Sequence, residues 1–91
     1  MHKVKMIVHG QVQGVGFRYS TVLIARELGI KGRVWNNADG TVGLLAQSDS
    51  QAALKSFEMK LRQGPTPFAS VSKLDISTTD FSDFKNFDIK Y

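Results

Sequence analysis

Ninety-one residues, 42% of them hydrophobic and 22% charged, describe one soluble globular domain spanning 1–91 and leave too little chain for two. With no cysteine the chain has no disulfide, no thiolate nucleophile and no thiolate metal ligand. No apolar run approaches the ~20 residues of a membrane span, and Met1–Lys5 leads into a strand pattern and not a signal peptide, so a cytoplasmic location is expected. The formal net charge of +4 is unevenly placed: residues 1–35 hold Lys3, Lys5, Arg18, Arg26, Lys31 and Arg33 against Glu27 alone. That half would attract an anion.

Lys3 to Gly10 alternates, with Val4, Met6 and Val8 on one face and Lys3, Lys5 and Ile7 on the other, the pattern of a half-buried strand. The glycine-rich stretch HGQVQGVGFRYS follows. A helix is predicted over about 17–28, with Tyr19, Val22, Ala25 and Leu28 as its apolar stripe, Leu23 and Ile24 beside it, and Gly29 free to close it in the left-handed conformation. Residues 32–47 read as a hairpin, with Val34 and Asn36 on one face, Arg33 and Trp35 on the other, and Asn37-Ala38-Asp39-Gly40 as the turn. Val42, Leu44 and Ala46 continue the buried face.

Ser48 or Asp49 is the expected cap of a second helix carrying Leu54, Phe57 and Leu61 and ending at Gly64-Pro65. Residues 71–78 form a further strand with Leu74 and Ile76 in phase and Val71 out of phase, at a bulge. Residues 77–86 are polar and acidic, a surface loop, and Phe87, Ile89 and Tyr91 mark a short last strand. The order β-α-β-β-α-β plus a terminal strand predicts an α+β fold, a ferredoxin-like sandwich with an antiparallel sheet and both helices on one face.

A glycine-rich strand-to-helix loop suits an anion. Gly14 and Gly16 can take positive φ and turn successive N–H groups inward, and the helix start adds unpaired N–H groups and the positive end of its dipole. Any tight crossover also uses glycine, and the spacing fits neither the P-loop nor the dinucleotide fingerprint. Arg18 sharpens the anion reading. A cation in the first helical turn is disfavoured by about 0.3–1 kcal/mol, a penalty that a bound phosphate reverses, and its planar fork matches two phosphate oxygens. Asn36 places a carboxamide on the core-facing side of its strand. It is either a strand-end residue entering the turn or a neutral group able to hold a water. His2 and His9 lack the spacing of a metal site, Asp80, Asp83 and Asp88 read as solvated carboxylates, and no nucleophilic triad is present.

Gly10-Gln11-Val12-Gln13-Gly14-Val15-Gly16-Phe17-Arg18 resembles the first signature of the acylphosphatases, and Gly32-Arg33-Val34-Trp35-Asn36-Asn37-Ala38-Asp39-Gly40-Thr41-Val42 resembles the second. Gly64-Pro65 followed by Ala69-x-Val71 also fits the family, and the resemblance covers essentially the whole chain. In one departure Arg33 and Trp35 are exchanged relative to the usual aromatic-then-basic order; both lie on the face opposite Asn36, so the exchange is expected to spare the site.

The resemblance implies hydrolysis of an acyl phosphate, a small-molecule substrate, to a carboxylate and inorganic phosphate, the latter also a competitive inhibitor. It assigns phosphate binding to Arg18 and to an N–H cradle of Gln13, Gly14, Val15, Gly16, Phe17 and Arg18. Water positioning falls to Asn36, oriented by Thr41 or the backbone near Gly10. No cofactor, metal, nucleic acid or membrane is implied, and a monomer is expected. Two rivals stand beside this reading: an RNA-binding module, which shares the element order and would use Arg33 and Trp35 as a stacking platform, and a phosphate sensor, which would keep the loop but not need Asn36.

Overall fold

The computed structural model describes residues 1–91, with strands β1 (His2–Gln11), β2 (Lys31–Asn36), β3 (Val42–Ser48), β4 (Ser70–Thr78) and β5 (Phe87–Ile89) and helices α1 (Phe17–Glu27) and α2 (Gln51–Arg62). The five strands form one sheet in the order β4-β1-β3-β2-β5. The first four pair antiparallel, as the ferredoxin-like reading requires, but β5 runs parallel to β2, so the sheet is mixed. The cause is topological. β4 ends where β1 begins, the chain crosses beneath that end of the sheet to the far edge, and β5 can then only run upward beside β2.

Both helices cover one face. Met6, Val8, Val34, Val42, Leu44, Ala46 and Leu74 from the sheet meet Phe17, Val22, Ala25, Leu54, Phe57 and Leu61 from the helices in a single buried cluster. Phe57 and Phe87 pack edge-on at its far side, with ring centroids 5.8 Å apart. The stripe predicted for α1 is rotated from the observed one: Tyr19 is 64% and Leu23 48% exposed, while Phe17 and Thr21 are buried. Thr21 is hidden without cost because its hydroxyl donates to the carbonyl of Phe17 at 2.8 Å.

α2 is capped two residues later than Ser48: Ser50 is the N-cap and its hydroxyl accepts from the N–H of Ala53 at 3.0 Å. Ser48 instead accepts from the N–H of Ser50. The expected bulge is present. The β1–β4 register shifts between His9 and Gly10, which leaves Ser72 as the extra residue of β4. Gly10 has φ 126°, and a Cβ there would lie 2.1 Å from the carbonyl oxygen of Ser70. Only glycine lets the strands approach so closely. Ile76, expected in the core, is 43% exposed: β4 is an edge strand, and Ile76 lines an open cleft shared with Leu54, Lys55 and Glu58 of α2.

The face opposite the helices is partly covered. Phe81 and Phe84, in the segment read as a surface loop, pack on each other at 5.4 Å and against Lys3 at 5.1 Å and Arg33 at 5.2 Å. Asp83 pairs with Lys3 at 2.8 Å and Asp80 at 3.6 Å, and Lys3 also donates to the carbonyl of Phe81. Asp88 pairs with Arg26 at 3.0 Å. The three acids are therefore exposed but engaged, not merely solvated. No helix is long and apolar enough to cross a membrane.

Candidate active site

Because β1 and β2 both pair antiparallel with β3, they run in the same direction, and Val8 and Asn36 both stand opposite Val42. The loop leaving β1 and the residue ending β2 therefore emerge at one end of the sheet, beside the start of α1. This relationship brings the two sequence signatures together.

Gly14 (φ 74°) and Gly16 (φ 76°) take the left-handed turns expected of them. Gly16 is the N-cap of α1 and so contributes no side-chain cap, and no acid stands in the first turn. The first helical N–H groups are consequently unpaired, with the positive end of the dipole uncompensated. Across the loop, the Thr66 hydroxyl donates to the carbonyl of Val15 at 3.2 Å. A trans peptide sets C=O and N–H on opposite sides, so the N–H of Gly16 faces away from Thr66. Arg18 sits half-buried in that first turn, its guanidinium 5.3 Å from the centre of the Tyr91 ring. Among the ion pairs of the chain none uses Arg18. Its charge is available to an anion.

Asn36 is exposed, although strand alternation puts it on the core side: it is the last residue of β2. Asn36 and Tyr91 line a common cleft of about 380 Å³ with Arg33, Trp35, Leu45, Phe84 and Lys90, so Tyr91 links the surroundings of Arg18 to those of Asn36.

The turn after Asn36 is held by side chains. Asn37 Nδ2 donates to Thr41 Oγ1 at 3.0 Å, and Thr41 donates to Asp39 through both its hydroxyl at 2.7 Å and its N–H at 3.0 Å. The Thr41 hydroxyl first, then its N–H, hold the Asp39 carboxyl below the ordinary aspartate value. Thr41, expected to orient Asn36 itself, is thus committed to Asn37 and Asp39. Gln13, expected only as part of the N–H cradle, also works through its side chain: Nε2 donates to the carbonyls of Asn37 at 2.8 Å and Thr41 at 2.9 Å. Sequence alone marked Gln13 by its place between Val12 and Gly14 but carried no sign of this reach.

His9 stays in β1, where Nε2 meets Asp75 at 3.0 Å, as a strand residue and not a member of the loop. Trp35 and Arg33 share a face as expected, but Trp35 does not lie clear of the site: its indole Nε1 donates to Asn37 Oδ1 at 2.9 Å.

Comparison with known proteins agrees with this arrangement. The acylphosphatase family model matches residues 4–89. The chain is similar to an acylphosphatase of Lactococcus lactis, 52% identical over 97 aligned positions covering all of both chains. Among solved structures it is similar to the acylphosphatase of Bacillus subtilis, with TM-score 0.94 and 35% identity over all of both chains. It is also similar to that of Coxiella burnetii, with TM-score 0.91 and 30% identity over 98% of this chain and 92% of the other. The chain belongs to the acylphosphatase family, enzymes that hydrolyse acyl phosphates.

Proposed function

We propose that the phosphate of an acyl phosphate sits on the N–H groups of Gln13, Gly14, Val15, Gly16, Phe17 and Arg18, clasped by the Arg18 guanidinium, while Asn36 positions the water that attacks phosphorus. The observation that carries this is the start of α1: a left-handed glycine with no side-chain cap, no acid in the first turn, and an arginine with no ion-pair partner. Each feature is unfavourable or neutral alone and favourable with an anion present.

The chemistry asks little more of the protein. Phosphoryl transfer to water needs alignment and stabilisation of charge on the equatorial oxygens, which N–H groups and a guanidinium supply. The leaving carboxylate has an aqueous pKa of about 4 and departs without a general acid. A neutral carboxamide is a poor base but orients a water by accepting a hydrogen bond from one of its protons, and a phosphate oxygen takes the water's other proton as the new P–O bond forms and the bond to the carboxylate breaks. The reaction then needs no metal, and inorganic phosphate, occupying the same cradle, is a competitive inhibitor of a monomeric enzyme. Nucleic acid is not a ligand on this reading, because residues 41–47 lack the paired aromatics that a stacking platform would place beside Trp35.

Asn36→Ala tests the division of labour. A group that orients only the nucleophile acts chiefly in the transition state. The variant should fold, bind inorganic phosphate as the parent does, and lose about 10²–10³ in kcat. A collapse of phosphate binding with near-parent kcat would instead make Asn36 a phosphate ligand.

A further inference from the structure

Trp35 is the chain's single tryptophan, and its indole is fixed on two sides. Trp35 pairs with Gly43 across the β2–β3 ladder, and a Cβ on Gly43 would lie 2.7 Å from both Cε2 and Nε1 of the ring, so the indole rests directly on the glycine backbone. From that seat Nε1 donates to Asn37 Oδ1 at 2.9 Å, Asn37 Nδ2 donates to Thr41 Oγ1 at 3.0 Å, and Thr41 Oγ1 donates to Asp39 Oδ1 at 2.7 Å. The chain of donors runs one way, from a ring that cannot turn to a carboxylate that only accepts. Asn36 stands between its first two members, and its own carboxamide takes part in none of these bonds.

We propose that Trp35 is a positioning residue for the hydrolytic reaction: its indole N–H fixes Asn37 and thereby the backbone from which the Asn36 carboxamide projects. The inference rests on the water-positioning reading of Asn36. A side chain without a protein partner inherits its direction from its own backbone, and an aligned reaction is sensitive to small displacements of the aligning group. Burial of the ring over Gly43 needs only an aromatic surface. The N–H is the additional element, and it is aimed at the residue after Asn36.

Trp35→Phe separates the two, keeping an aromatic ring over Gly43 and removing the donor. With benzoyl phosphate as probe, we expect kcat to fall about three- to tenfold, the scale of one lost hydrogen bond. KM and inhibition by inorganic phosphate should stay at parent values, and the thermal midpoint should fall only by what one hydrogen bond and a smaller ring cost. Asn37→Ala should show a kcat-selective loss at least as large, and the double variant should be no worse than Asn37→Ala, because the link is already cut. Should Trp35→Phe not fold, Asn37→Ala alone carries the test. Parent kcat in either single variant, multiplying losses in the double, or a rise in KM and in the phosphate inhibition constant would each overturn the proposal. Asn36→Ala, assayed alongside, separates the two failures. If it is nearly inactive while Trp35→Phe matches the parent, only the role of Trp35 falls; if it keeps parent kcat, the water-positioning reading itself has failed.

Discussion

The side chain of Gln13 reaches from the loop after β1 to the carbonyls of Asn37 and Thr41, at 2.8 and 2.9 Å, and so fastens the first signature to the second. Both hydrogens of one amide nitrogen are used, on the two ends of the turn that follows Asn36. The loop and the turn are thereby one mechanical unit.

Gln13→Ala should cost about 1–3 kcal/mol of stability, two hydrogen bonds at about 0.5–1.5 kcal/mol each; both carbonyls keep a backbone donor, the N–H of Gly40 at 3.2 Å on Asn37 and that of Asn37 at 2.9 Å on Thr41. Gln13→Glu should be worse than alanine, since a carboxylate would face two carbonyl oxygens with no proton to offer. Urea unfolding of the three proteins checks the order, and kcat should fall with it as the turn loosens. Glutamate equal to glutamine would show that these two bonds contribute nothing.

Arg18 is expected to act on ground and transition states alike. Arg18→Ala should therefore abolish inhibition by inorganic phosphate together with turnover. Arg18→Lys keeps the charge without the planar fork and should remain severely impaired. Steady-state kinetics with added phosphate decides it; a lysine enzyme with most of the parent kcat/KM would show that a point charge is enough.

Hydrolysis should survive exhaustive chelation. Among the described residues no group of three or more His, Asp or Glu side chains is placed to hold a metal, and on the proposed reading the N–H groups and Arg18 neutralise the phosphate without one. Activity lost in chelator and restored by a divalent ion would refute this.

Asp39 and Lys3 should each contribute to the pH dependence of stability, at opposite ends. The Asp39 carboxyl is held below its ordinary value of 3.8 by the Thr41 hydroxyl and N–H, so its contribution is full above 3.8 and is lost as pH falls through the lowered folded value. Lys3 lies above its ordinary 10.5, chiefly through its bond to Asp83, so its contribution is full below 10.5 and is lost as pH rises through the raised folded value. Asp39→Asn should make the acid limb of a stability profile shallower without removing it, because Asp75 and Asp83 are also held low, and Lys3→Met should make the alkaline limb shallower. Unchanged limbs would mean that other groups govern both ends.

Much of this was legible in the sequence because the relevant signals are local. The alternation of β1, the Gly29 stop, the hairpin turn and the core spacing of Leu54, Phe57 and Leu61 are short-range patterns, and each matched the observed element. Even the bulge was visible, as Val71 falling out of phase. Errors arose where a distant neighbour decides. Tyr19 fits the helical stripe of α1 but faces solvent, since Phe17 and Thr21 take the position over the sheet. Ile76 is apolar and in phase, yet an edge strand has less to bury it. The direction of β5 and the seats of Phe81 and Phe84 depend on how the chain crosses the sheet, which no local pattern records. The same holds at the candidate site: Arg18 stood out as a cation in the first helical turn and Asn36 through the resemblance to the second signature, whereas the reach of Gln13 across 24 residues and of Trp35 to Asn37 had to be seen.

The missing side-chain cap on α1 has a consequence for how this enzyme can be improved. A serine or aspartate at position 16 is what a search for thermostability would try, and its oxygen would compete for the N–H groups that a phosphate needs. Gly16→Asp would in effect be a tethered product analogue, its carboxylate permanently in the place of the anion, while paying in backbone strain for the left-handed turn. Stabilisation and turnover are therefore opposed at this one residue. On the proposed reading the uncapped start of α1 is where the substrate phosphate binds, so each catalytic cycle would finish the secondary structure of α1 and then undo it.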